Sequence, residues 1–166
     1  MTASAQNKTE KDFTISRIFA APRALVWKAW TDSELLAKWW GPEVFTVPVC
    51  KLDLSIGGVW HYCMRSPDGK EYWNKGVFTE ITPPEKYVTV SSFSNAQGEA
   101  VSAAEYGMPD FPDEMTMTVT FEEQDGGKKT KVTVQQTMPD SVARGYGALE
   151  GWGGSFVKLD KLLAKA

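Results

Sequence analysis

A chain of 166 residues with 42% apolar and 23% charged side chains has the size and composition of one soluble globular domain. Its net charge is −3, and no Lys or Arg stands between Lys86 and Lys128 while eight acidic residues do, so no basic stripe faces a phosphate backbone and nucleic acid is excluded as a partner. No apolar run reaches the roughly 20 residues of a membrane span, and MTASAQNKTEKD lacks a signal-peptide core, so a cytoplasmic protein is expected.

Residues 1–10 are polar and without periodicity, which predicts a disordered tail ahead of a domain over 11–166. Alternation from Phe13 to Phe19 predicts a half-buried strand. Pro22 suits the first turn of a helix whose apolar residues Leu25, Val26, Ala29 and Trp30 recur at three and four. Thr31 or Asp32 can cap a second short helix that runs to Trp39 and stops at Gly41-Pro42. Six further strands are predicted: 44–54, 59–65, 71–81, 87–94, 115–123 and 130–138. Turn residues separate them, giving an antiparallel meander. One connection, 95–113, is predicted as a long loop, either a lid or a contact for another protein.

After Pro139-Asp140, Val142, Tyr146, Leu149, Trp152, Phe156, Leu159 and Leu163 form one helical stripe to the end of the chain. Gly145, Gly147, Gly151, Gly153 and Gly154 interrupt it at about 1 kcal/mol each relative to alanine. Close approach of the helix to the sheet and room beside it for a ligand both account for such glycines. The order β-α-α-β-β-β-β-β-β-α predicts an α+β, helix-grip architecture: a curved antiparallel sheet wrapped around a long C-terminal helix, with a cavity between them.

The segments APRALVWKAWTDSELLAKWWGP, DLSIGGVWHYCMRSPDGKEY, KGVFTEITPPEKYV, MTVTFEE, GGKKTKVTV and EGWGGSFVKLDKLLA carry a family likeness in order and spacing. From Lys11 to Ala164 the chain resembles the bacterial START-like (SRPBCC) proteins similar to the C-terminal domain of the activator of the heat-shock-protein-ninety ATPase. The resemblance implies the helix-grip fold and a cavity that accepts apolar molecules. It implies no particular reaction.

The residue inventory narrows the chemistry. One histidine, His61, and two cysteines, Cys50 and Cys63, are too few for a multi-histidine metal site, a zinc knuckle or a disulfide scaffold; no metal and no cofactor are expected, and the thiols should be reduced. Alternation along 59–65 turns Trp60, Tyr62 and Met64 toward the helix and His61, Cys63 and Arg65 outward. The same alternation turns Cys50, Leu52 and Leu54 inward, so the two cysteines lie on opposite faces. Bulk and parity add Trp40, Trp73, Phe93, Met117, Trp152 and Phe156 to Trp60, Tyr62 and Met64 as the candidate ligand-binding wall. Glu71, Asn74, Glu80 and Gln136 are polar strand residues, each expected to be solvated or to bind a neighbouring strand, and no catalytic residue is assigned. The expected function is binding of a small hydrophobic molecule, as a stress or transport accessory, by a monomer or homodimer. Two alternatives stand beside it. One is a cyclase or dehydratase-type enzyme using the same cavity; the other is a co-chaperone module whose partner is a heat-shock ATPase.

Overall fold

The computed structural model describes residues 11–165; the expected N-terminal tail, residues 1–10, lies outside the described residues. Strand β1 (Asp12–Phe19) leads into helices α1 (Arg23–Thr31) and α2 (Ser33–Trp39). Pro22 stands one place earlier than expected, at the N-cap of α1, where its missing N–H costs nothing. Asp32 is the cap of α2: Oδ1 accepts from the backbone N–H groups of Glu34 and Leu35 at 2.9 and 3.2 Å. A seven-residue helix cannot persist on propensity alone. It is held by buried Leu36 and Trp39, and the Trp39 indole N–H donates to the Ala29 carbonyl at 2.9 Å.

The strands that follow are β2 (Thr46–Leu52), β3 (Val59–Arg65), β4 (Glu71–Thr82), β5 (Lys86–Ser94), β6 (Ala100–Val101), β7 (Met115–Gln124) and β8 (Lys129–Pro139). They make one antiparallel sheet in the order β1-β8-β7-β5-β4-β3-β2, with β6 beside β5. Strand β2 is shorter than the predicted 44–54, and its register with β3 shifts between Thr46 and Val49, where Pro48 has no N–H to give the ladder. Proline is tolerated there because β2 is an edge strand.

The 95–113 connection is less irregular than expected. Asn95 Oδ1 accepts from the N–H groups of Gln97 and Glu99, closing a tight turn that returns the chain as β6. A short 3-10 turn, Ala103–Tyr106, follows. The Tyr106 hydroxyl donates to the Ser94 carbonyl at 2.6 Å and accepts from the Trp73 N–H at 3.3 Å. The segment is thereby pinned along the sheet.

The predicted single C-terminal helix is two. Helix α3 (Asp140–Gly145) ends at Tyr146, and α4 (Ala148–Ala164) starts after Gly147, whose φ of +80° is a left-handed conformation that suits glycine. Helix α4 lies across the inner face of the sheet and buries Ser155, Phe156, Leu159 and Leu163. Its close approach is to the 41–45 loop, not to the sheet as expected: a Cβ built on Gly154 would stand 2.7 Å from the Glu43 backbone nitrogen. Four hydrogen bonds from two side chains lock this contact. The Ser155 hydroxyl donates to the Gly41 carbonyl at 2.6 Å. Lys158 Nζ donates to the carbonyls of Trp40, Pro42 and Phe45 at 3.0–3.3 Å, and burial holds that ammonium below its ordinary pKa.

Two adjacent glycines should therefore respond with opposite sign. Gly153→Ala meets nothing within 4 Å and is expected to stabilise by up to about 1 kcal/mol through helix propensity. Gly154→Ala has the same propensity gain but overpacks against a backbone atom at a cost of about 1–3 kcal/mol, and is expected to destabilise. Urea unfolding of the pair decides it; a stabilised Gly154→Ala would mean that the loop yields freely.

Candidate functional site

Because directly opposed residues of neighbouring strands share a face, the registers sort the side chains. Leu52, Trp60 and Gly76 face one another, as do Cys50, Tyr62, Asn74 and Phe93 in the next row. This inner face meets α1, α2 and α4 over a dense aromatic core: Trp30 lies with ring centroids 4.6 Å from Trp39, 5.9 Å from Trp40, 5.8 Å from Phe121 and 6.1 Å from Trp152. Toward the other end the packing opens into a cavity of about 570 Å³ between the sheet, the start of α4 and the 106–115 segment.

Five of the nine candidate wall residues line this cavity: Trp40, Tyr62, Met64, Phe93 and Trp152. Trp60, Met117 and Phe156 are nearly fully buried in the core and not in the cavity wall. Trp60 packs edge-on to Trp40 at 4.7 Å, and Phe156 edge-on to Phe19 at 5.4 Å. Trp73 is on the other side of the sheet, opposite Cys63 in the register. Its bulk is covered there by His61, which stacks on it at 5.1 Å, and its indole N–H donates to Glu71.

His61 is on the outer face as parity requires, and its Nε2 bonds the Asn95 carbonyl at 3.2 Å. Cys63 also points outward yet is buried, while Cys50 faces Tyr62 on the inside. The two thiols are free, lie on opposite faces, and are both held above the ordinary thiol pKa chiefly by burial. Glu71 pairs with Arg65 and Glu80 with Lys86, both at the surface.

Much of the wall comes from residues the sequence did not single out for it. The pinned segment contributes Tyr106, Met108, Phe111 and Pro112, and the junction between α3 and α4 contributes Tyr146 and Ala148. Phe111 bridges the two, 5.5 Å from Phe93 and 6.0 Å from Tyr146, and the Tyr146 hydroxyl accepts from the Asp110 N–H at 3.2 Å. Met115 and Met138 add flexible thioethers. Four polar residues of the sheet, Asn74, Ser91, Ser92 and Gln136, also border the space. Gln136 is 8% exposed, and Asn74 holds its amide nitrogen out of water with no partner. Burial keeps the Tyr62 phenol far above its ordinary pKa, hence a neutral hydroxyl. Among the described residues no three His, Cys, Asp or Glu side chains are grouped to hold a metal ion.

The family described as "Activator of Hsp90 ATPase homolog 1-like protein" matches residues 20–164. The chain belongs to that AHSA1 family. The helix-grip fold is accordingly shared with solved AHSA1-like structures. A crystal structure of a Nitrosomonas europaea protein is 28% identical, covering 95% of this chain and 96% of that one with a TM-score of 0.74. A solution structure of a Staphylococcus epidermidis protein is 26% identical, covering 95% and 92% with a TM-score of 0.76. An AHSA1 protein of Silicibacter pomeroyi is 22% identical over 92% and 97% with a TM-score of 0.71, a likeness of fold alone. No curated protein matches the sequence. No helix among the described residues is long and apolar enough to cross a membrane.

Proposed function

We propose that this AHSA1-family chain binds a small, predominantly apolar molecule in the cavity beside α4. One observation carries the reading. About 570 Å³ of space opens beside α4 at the edge of the aromatic core, and much of its wall is indole, phenyl, phenol and thioether groups. Pockets for small organic molecules span about 300–1,000 Å³ and are walled in this way, with a few polar groups to orient the occupant. The titratable side chains of the wall are tyrosine phenols and Lys70, and its inward strand polars are amides and serines. That set suits binding better than acid–base chemistry near neutral pH. A co-chaperone acting through its outer surface would leave the space without a role.

Trp40 and Trp152 stand in the wall, so binding should shift tryptophan emission. It should also raise the melting temperature by mass action, about 2.7 kcal/mol of added stability at a hundredfold excess over Kd. A panel of fatty acids, flavonoids and polyketides tests this. If no compound moves either signal, the binding function is wrong.

A further inference from the structure

We propose that the occupant of the cavity is an amphipathic acid, an apolar body ending in one carboxylate, and that this carboxylate docks on the Lys70 ammonium at the rim. This rests on the binding function of the same cavity and names the head group of its occupant. Among the described residues, Lys70 is the one charged side chain of the wall. It is exposed and stands two residues before Tyr72, which the register sets opposite inward-facing Met64. Strand parity therefore turns Lys70 toward the cavity side of the sheet. Its Nζ is 5.2 Å from the centroid of the Tyr72 ring, and that ring leans on Phe45 and Tyr106 at 6.0 and 5.8 Å.

The lysine is fixed at its backbone and free at its tip. Its N–H donates to Asp68 Oδ1 at 3.2 Å and its carbonyl accepts from the Ser66 N–H at 2.9 Å, closing the turn between β3 and β4. Among the described residues the ammonium forms no hydrogen bond or ion pair and rests only on the Tyr72 ring. The carboxylates around the turn are engaged: Asp68 accepts from the Ser66 hydroxyl, and Glu71 pairs with Arg65 on the outer face. A lone cation at the mouth of an apolar space orients what enters. The body leaves water inside, while the head stays at the rim, keeps part of its hydration and gains a counter-charge. One ammonium balances one negative charge, which favours a carboxylate over a phosphate monoester of about −1.5 to −2. A cationic head would meet Lys70 with no carboxylate in the wall to receive it.

The probes are decanoate, methyl decanoate and decylamine, each titrated by calorimetry at low salt into the unaltered protein, Lys70→Met and Lys70→Glu. The unaltered protein is expected to bind decanoate about tenfold tighter than decylamine. Lys70→Met is expected to weaken decanoate about fivefold, the scale of a partly exposed ion pair, and to leave methyl decanoate within about twofold. Lys70→Glu is expected to reverse the order of decanoate and decylamine. Lys70 is exposed, so the unliganded melting temperatures should barely move. Decanoate affinity unchanged in both variants, an equal loss for decanoate and methyl decanoate, or decylamine as the tightest probe for the unaltered protein would overturn the carboxylate assignment and leave apolar binding intact. Failure of all the probes to bind the unaltered protein would overturn the binding function, and this assignment with it.

Discussion

Trp30→Ala is expected to remove about 3–5 kcal/mol of folding stability, a large share of the roughly 5–15 kcal/mol that holds a domain of this kind folded. Trp30 is fully buried where α1, α2, the sheet and α4 meet, with Trp39, Trp40, Phe121, Trp152 and Phe156 all within 6.4 Å between ring centroids. An alanine there leaves a hole that rings from five directions cannot close without breaking their own contacts. Trp30→Phe should be much milder. It keeps a ring in place and removes an indole N–H that is buried without a partner, a group whose stranding costs about 1–3 kcal/mol. Urea unfolding of both variants supplies the comparison, and an alanine variant that lost under about 1 kcal/mol would show that the aromatic core can collapse onto the gap.

Ala148→Trp should abolish binding without unfolding the protein. Ala148 opens α4 and lines the cavity, so an indole at that position occupies space that an occupant needs. Affinity for any compound that shifts the melting temperature is expected to fall at least about a hundredfold, equivalent to about 2.7 kcal/mol, while the urea midpoint stays close to that of the unaltered protein. Val44→Trp is the control. Val44 is 67% exposed and outside the wall, so it should leave both quantities in place. Undiminished affinity in Ala148→Trp would move the site away from this cavity.

The course of the chain was legible wherever one face of an element is buried and the other wet. Strand β3 came out with its bounds and its inward Trp60, Tyr62 and Met64, because strict alternation leaves no second choice of face. A cap at Thr31 or Asp32 was legible for a related reason, since a side-chain oxygen just ahead of an apolar repeat has one geometry to satisfy, and the structure gives the role to Asp32. Trp73 was turned inward on bulk and strand parity, and one extra residue in β4 turns it out. Phe78 is buried in the core and Ile81 packs against it, three apart on one strand, which requires the bulge at Thr79. Counting alternately back from Ile81 carries Trp73 inward; the bulge sends it out and brings Tyr72 and Asn74 in. The break at Gly147 was hidden because the apolar stripe continues through it at helical spacing. Asn74 and Gln136 were seen as polar strand residues, but a polar side chain facing a cavity and one facing water follow the same alternation. Only the sheet register tells them apart.

Five of the seven tryptophans, Trp30, Trp39, Trp40, Trp60 and Trp152, form one unbroken chain of ring contacts with centroids 4.6–6.1 Å apart at each step. Indoles at such separations exchange excitation faster than they emit, so the set behaves optically as one chromophore. Light absorbed at Trp39, deep in the core, can emerge from Trp40 or Trp152 at the cavity. A molecule that touches either of those two quenches or recolours the emission of the whole array, and the array should give a coupled circular-dichroism signal in the near ultraviolet that vanishes on unfolding. Trp73 lies on the opposite face, stacked against His61, and is outside this chain of ring contacts.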